Sequence, residues 1–222
     1  MKESPLQTPI LFYVGVVPIS RTVATTWGLM VVLTTGCWFA TRSFKLKPSG
    51  WQAVVETVVL GIEDQIEALL GREPGPFAGF LGTLFIFLVA ANLSGILPGV
   101  RGPTAAIETP AALATIVFLS VHYYGIRFQG FLVYLRGYVK PNPVLLPLNI
   151  LSEITRSFSL AMRLFGNIMS EELVVAIILS LAGLFVPIPF MAFGILVGLV
   201  QAYIFSVLAT VYIGGGIGAI TK

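Results

Sequence analysis

Hydrophobic positions in this chain fall in long blocks broken by short clusters of charge and proline. There is neither the alternation of a half-buried sheet nor the mixed faces of a soluble bundle. Thr22–Thr41 carries no charge and is flanked by Arg21 and Arg42. Pro74–Val100 and Thr109–Ile126 are further uncharged runs, and Leu173–Thr221 contains no ionised side chain. A helix needs about 20 apolar residues to cross a bilayer, so the pattern predicts spans over 22–41, 77–97 and 109–126. Residues 51–70 read differently. Glu56, Glu63 and Glu67 share one face at about 100° per residue, which predicts an amphipathic helix whose acidic side is solvated or docks a partner. Pro141 and Pro143 introduce a helical pattern over 144–181, and Pro187 and Pro189 turn it into a second over 190–213. These two form a long antiparallel hairpin, in which Gly194/Gly198 and Gly214/Gly218 have the spacing that permits close helix approach.

Composition agrees. Of 222 residues, 56% are apolar and 10% charged, against about a quarter charged in soluble domains. The chain reads as an all-α, multi-pass integral membrane protein with a single membrane domain over 1–222. Residues 1–21, with Pro5, Pro9 and Pro18, form a short outer segment. A net charge of +3 gives no reason to expect nucleic acid. Arg42, Lys45, Lys47 and Arg72 follow the first span, and Arg127, Arg136 and Lys140 follow the third, while the opposite side holds Lys2, Arg21 and Arg101. The positive-inside rule places the N-terminus outside and Lys222 inside. Cys37 is alone, so no disulfide framework, metal cluster or cofactor is expected. Ile10–Val17 follows Glu3 rather than a basic leader, so no signal peptide is expected.

The long helix carries the chemistry. At about 1.5 Å per residue, 144–181 would be roughly 57 Å long, while the hydrocarbon core is about 30 Å thick. The helix must tilt steeply, break, or lie partly along the membrane. Asn149, Ser152, Glu153, Arg156, Ser159, Arg163, Asn167, Ser170 and Glu171 fall within roughly 120° of one another on its surface. Glu172 points the opposite way. Such a stripe must face protein or water, because lipid satisfies no polar group. Glu153 and Arg156, spaced i and i+3, are placed to pair with each other. Arg163 has no such partner: Asn167 and Ser159 stand where a carboxylate would reach it, and Glu171 is about 12 Å further along by helical rise. A guanidinium keeps its charge at any ordinary pH, and placing it in a bilayer costs about 2.5 to 17 kcal/mol. Its counter-charge then comes from elsewhere in the chain or from another subunit; the second long helix offers no carboxylate, which favours a partner-supplied one. His122 reads as a packed or interfacial histidine rather than a ligand. A lone secondary transporter would show internal repeats around a midplane site, and none is evident. A passive membrane scaffold would have no use for the deep arginine.

Ser159-Leu-Ala-Met-Arg163-Leu-Phe-Gly-Asn167-Ile resembles the signature of subunit a, the stator ion-channel subunit of rotary ATP synthases. Pro18-Ile19, Asn92-Leu-Ser-Gly-Ile-Leu-Pro-Gly, Leu146-Pro-Leu-Asn-Ile and Gln201-Ala-Tyr-Ile-Phe-Ser-Val-Leu extend the likeness over nearly the whole chain. The resemblance implies that the strongly tilted C-terminal hairpin curves around a rotating ring of c subunits. Arg163 then faces the ring's ion-binding carboxylates and separates two half-channels, so that ions must ride the ring. Asn167 matches a polar position one turn on, Glu172 the acidic position lining a half-channel, and Gln201 the glutamine of the second long helix. Many relatives have a small residue at the position of Glu171 and histidine at that of Gly194, so Glu171 is expected to fill the volume of that histidine. The partners implied are the c ring, peripheral-stalk b subunits, the rest of the ATP synthase complex and lipid, in a bacterial plasma (inner) membrane. No nucleotide chemistry is expected in the chain, which has no Walker-type loop.

Overall fold

A computed structural model describes residues 10–14, 17–42, 44, 50–95, 102–139, 144, 146–183 and 185–218. Two short strands, β1 (Ile10–Val14) and β2 (Val17–Ser20), pair antiparallel with Val14 opposite Val17. They are the one departure from an all-α chain among the described residues, in a segment the sequence pattern left without regular structure. Helices follow: α1 (Arg21–Thr41), α2 (Trp51–Leu70), α3 (Gly75–Ser94), α4 (Glu108–Gln129), α5 (Phe131–Val139), α6 (Leu146–Ala182) and α7 (Pro187–Gly216). A short 3-10 turn, Pro103–Ala105, precedes α4. Five of the helices, α1, α3, α4, α6 and α7, are long and apolar enough to cross a membrane.

Local chemistry explains the boundaries. Ser20 caps α1 by accepting from the Val23 N–H at 3.4 Å, and its hydroxyl also donates to Glu108 at 2.6 Å. Gly71 ends α2 at φ 61°, with its N–H on the Glu67 carbonyl at 2.8 Å, a left-handed stop that glycine adopts without strain. Pro187 opens α7, where its missing N–H would have had no partner anyway. Helix ends differ from the pattern: α4 continues to Gln129, and α7 starts three residues earlier than the pattern placed it, at Pro187. α6 is one unbroken helix of 37 residues, which removes a break from the options for so long an element. Leu97-Pro98-Gly99, Pro5, Pro9, Pro141, Pro143, Lys2, Lys45, Lys47, Arg101, Lys140 and Lys222 lie outside the described residues.

α5 had no counterpart in the sequence reading. Gly130, at φ 82°, separates it from α4. Its Tyr134 is buried, while Phe131, Leu132 and Leu135 are exposed.

The chain divides into two units. One gathers the described parts of Met1–Lys47, Ile86–Pro110 and Leu164–Ala202; its core includes Leu88, Ala91, Leu164, Ile168 and Ala202. The other gathers those of Pro48–Phe85, Ala111–Arg163 and Tyr203–Lys222. In it, Phe77 at the start of α3 packs on Tyr124 and Phe128 near the end of α4, with ring centroids 5.0 and 5.3 Å apart. Leu81, Val117, Leu160, Phe205 and Ile213 are buried there as well. Trp27, Val31, Val32, Trp38 and Phe39 of α1 are exposed, the surface a lipid-solvated helix offers. Hydroxyls in the helices turn back on their own backbone. Thr35 donates to the Val31 carbonyl, Thr83 to Gly79, Thr115 to Ala111 and Thr210 to Ser206, all at 2.7–2.9 Å.

Tyr134 lies directly against Gly125 of α4. A Cβ on Gly125 would strike the Tyr134 ring and come within 3.0 Å of the Gly216 carbonyl oxygen. Gly125→Ala is therefore expected to destabilise the protein by about 1–3 kcal/mol, the usual consequence of overpacking. A lower thermal midpoint of the purified protein in detergent would register it, and an unchanged midpoint would count against this packing.

Candidate functional site

Polar side chains in each unit converge where the surrounding helices are apolar. In the first unit, Asn167 of α6 donates through Nδ2 to Oε1 of Gln201 on α7 at 2.7 Å. Gln201 is only 2% exposed, and its Nε2 has no partner among the described residues. A buried donor of this kind calls for a bonding partner, because an unmet one costs about 1–3 kcal/mol. Asn92 of α3 donates to the Gly198 carbonyl of α7 at 2.8 Å, and the Thr104 hydroxyl donates to Asn92 Oδ1 at 3.1 Å. Asn92 thereby bridges α7 and the turn ahead of α4.

Glu171 sits one helical turn beyond Asn167 and packs its carboxylate onto Gly194 of α7. A Cβ on Gly194 would overlap that carboxylate outright. Gly194 and Gly198 thus admit polar side chains, Glu171 and Asn92, rather than serving only the close helix contact that their spacing predicted. Gly218 lies beyond α7 at φ 70°, so Gly214/Gly218 is not a helical stripe. Glu172 is half-buried and Ser170 exposed.

In the second unit, Glu153 of α6 accepts a hydrogen bond from the Tyr138 hydroxyl of α5 and lies 3.9 Å from His122 Nε2 of α4. Tyr138 and Tyr134 share a hydroxyl–hydroxyl bond at 2.8 Å, and Asn149 Nδ2 donates to the Tyr138 carbonyl at 2.9 Å. Burial, then the bonds to Glu153 and Tyr134, push the Tyr138 phenol far above its ordinary value. It therefore remains a donor at any physiological pH. Tyr134, Tyr138, Asn149 and Glu153, with Gln129, Arg156 and Tyr212, line an open cavity of about 470 Å³.

The expected Glu153–Arg156 pair does not form. Arg156 donates to Ser152 Oγ at 3.5 Å and lies 5.8 Å over the Tyr212 ring, while Glu153 turns toward α4 and α5. The cause is competition: Tyr138 offers the carboxylate a charge-assisted bond in a less exposed place. His122 is packed, as expected, against Phe118 at 4.4 Å between centroids, and it also faces the Glu153 carboxylate, a contact that no spacing within α4 encodes. Arg163 and Ser159 are exposed on α6. No hydrogen bond or ion pair holds Arg163 among the described residues.

Residues 23–214 match the family model described as ATP synthase A chain. A protein of Bradyrhizobium sp. named ATP synthase subunit a 2 is 56% identical over 222 residues, covering 100% of both chains. One of the same name from Pelobacter propionicus is 47% identical over 95% of this chain and 92% of its own. ATP synthase subunit a of Legionella pneumophila (strain Philadelphia 1) is 43% identical over 99% and 96%.

Overlap between a side chain at 194 and the Glu171 carboxylate makes a double-mutant cycle informative. Gly194→Ala alone is expected to lower stability, and Glu171→Ala is expected to relieve that loss. The coupling energy should fall in the range of about 0.5–3 kcal/mol seen for touching residues. Strictly additive effects in thermal melts would mean that the two positions do not share this space.

Proposed function

The chain belongs to the ATP synthase A chain family, and we propose that it works as the stator half of a rotary ion motor, with Arg163 as its electrostatic barrier. A multi-pass membrane subunit of the ATP synthase complex with an ion-translocating role is what membership of the family and five membrane-capable helices establish. α6 is about 55 Å long by helical rise, nearly twice the hydrocarbon thickness of about 30 Å. Such a helix lies obliquely and offers a long face to a ring of c subunits, with b subunits bracing the stator from outside. The setting is a bacterial plasma membrane.

Arg163 is the observation that carries the proposal: a permanent cation on an apolar helix, exposed and unpaired among the described residues. Its counter-charge is the carboxylate of each passing c subunit. A lysine here could lose its proton on desolvation and join the ion path, whereas the guanidinium stays charged. The polar cluster of Asn92, Asn167, Glu171 and Gln201 serves as one half-channel, with Glu172 on the same helix contributing to an access path. The open cavity around Glu153 serves as the other. Ions crossing between them ride the ring, and each contributes about 2.3 kcal/mol per 100 mV of potential. The chain itself performs no covalent step, and ATP chemistry belongs to the soluble partners of the complex.

Gradient-driven ATP synthesis by the complete complex in liposomes tests this. Arg163→Ala at equal assembly is expected to abolish synthesis and open a passive ion leak, and unchanged coupling would reject the barrier role. Glu171→Gln is expected to slow synthesis by about tenfold or more, the scale on which a lost proton-transfer group is felt. Synthesis at the parental rate would remove Glu171 from the pathway.

A further inference from the structure

His122 and Tyr138 act on the same carboxylate from two different helices, and neither is explained by packing alone. Nδ1 of His122 is 2.8 Å from the Phe118 carbonyl oxygen. A carbonyl only accepts, so Nδ1 carries a proton in every state that keeps this bond. The neutral ring therefore presents a bare lone pair at Nε2, and Nε2 is the atom that faces Glu153 Oε1, at 3.9 Å. Lone pair against carboxylate is repulsive. One added proton turns the same geometry into an imidazolium–carboxylate pair, closed directly or through one bridging water. Tyr138 meanwhile donates to the other oxygen, Oε2, so the carboxylate is gripped from α5 while its free oxygen faces α4.

Among the described residues, no other charge competes for it nearby. Arg156, the remaining ionised group lining the cavity, stacks on Tyr212 of α7 and bonds Ser152. From α5, Tyr134 reaches Tyr138 and not Glu153. The side chains of His122 and Glu153 are 32% and 18% exposed, and Glu153 lines the cavity, so water and an ion can reach its carboxylate from there.

We propose that His122 and Tyr138 are positioning residues that make Glu153 the cation-exchange group of this cavity. Tyr138 orients the carboxylate, and His122 neutralises it by holding a proton or frees it by releasing one. The proton moves from water to Nε2 of the partly exposed ring and back, while Nδ1–H stays on the Phe118 carbonyl. Low pH then places an imidazolium beside Glu153 and shuts out an incoming cation. Higher pH leaves an oriented, uncompensated carboxylate that accepts one. This rests on the half-channel reading above, and it makes flux through that half-channel depend on the charge of His122.

The test is ATP-driven ion uptake by the complete complex in liposomes, followed between about pH 5 and 8. His122→Asn keeps an N–H for the Phe118 carbonyl and removes the nitrogen that faces Glu153. Its pH profile is expected to lose the inflection of the parent, with uptake at the parental optimum slowed about tenfold or more. Tyr138→Phe, which deletes only the hydroxyl, is expected to displace that inflection. Profiles of both variants that superimpose on the parent would overturn the proposal, as would failure of both to assemble with the ring, which would assign these residues to packing. If His122→Asn alone fails to assemble, Tyr138→Phe decides. Arg163→Ala, measured in parallel, separates the readings. Its loss of coupled uptake beside a parental His122→Asn profile rejects this proposal alone, whereas coupled uptake without Arg163 rejects the stator reading on which it depends.

Discussion

Hydrocarbon offers no hydrogen bonds, and every polar group carried into it must find a partner in the protein, in trapped water or in another subunit. The helices of this chain are organised around that scarcity. Threonine and serine hydroxyls along the helices turn back onto carbonyls of their own backbone, as Thr35 does on Val31. The carbonyl of Gly216, at the open end of α7, takes the Gln129 amide at 2.8 Å. Polar side chains too long to be satisfied within one helix are paired across helices, Asn167 with Gln201 and Asn92 with Gly198. Against that background, two groups with unmet capacity stand out among the described residues: the Nε2 of Gln201 and the guanidinium of Arg163. In an ion-translocating subunit, unmet capacity is where water and moving charge belong.

Small residues make these pairings possible. Gly194 leaves room for the Glu171 carboxylate, Gly198 for Asn92, and Gly125 for the Tyr134 ring. In each case the missing Cβ is replaced by a group that carries a hydrogen-bonding atom. Glycine in a transmembrane helix is commonly a device for bringing backbones together. Here it also brings polar side chains against a neighbouring helix. That arrangement keeps α7, whose own sequence holds no carboxylate, beside the ionisable groups of α6.

α5 is the least conspicuous element in sequence and among the most consequential in structure. It is nine residues long, too short to span a membrane, and it fills the gap between α4 and α6 in sequence. Its two tyrosines, one turn apart, link the core contact at Gly125 to the carboxylate of Glu153. Without α5, the Glu153 side chain would keep only His122 of α4 and its own helix, where Arg156 is the natural partner.

The length and apolarity of each run determined the spans, since the bilayer sets a minimum length and excludes charge. The 37-residue α6 and the arginine on its polar stripe were legible for the same reason: helical periodicity is a local property of the chain. Partner choice was not local. Glu153 could reach Arg156 one turn away or His122 and Tyr138 on other helices, and only the folded packing settles that competition. Glu171 against Gly194 was anticipated through the family resemblance, but the overlap itself depends on the register of α6 and α7, which no spacing within either helix encodes. The strand pair before α1 and the short α5 escaped the pattern because a few residues carry too little periodicity to separate a strand or a surface helix from a loop. The amino-acid sequence thus determined which segments enter the membrane and which charges travel with them. The tertiary structure decided which of those charges meet, because in a low-dielectric interior the pairing follows distance and burial rather than order along the chain.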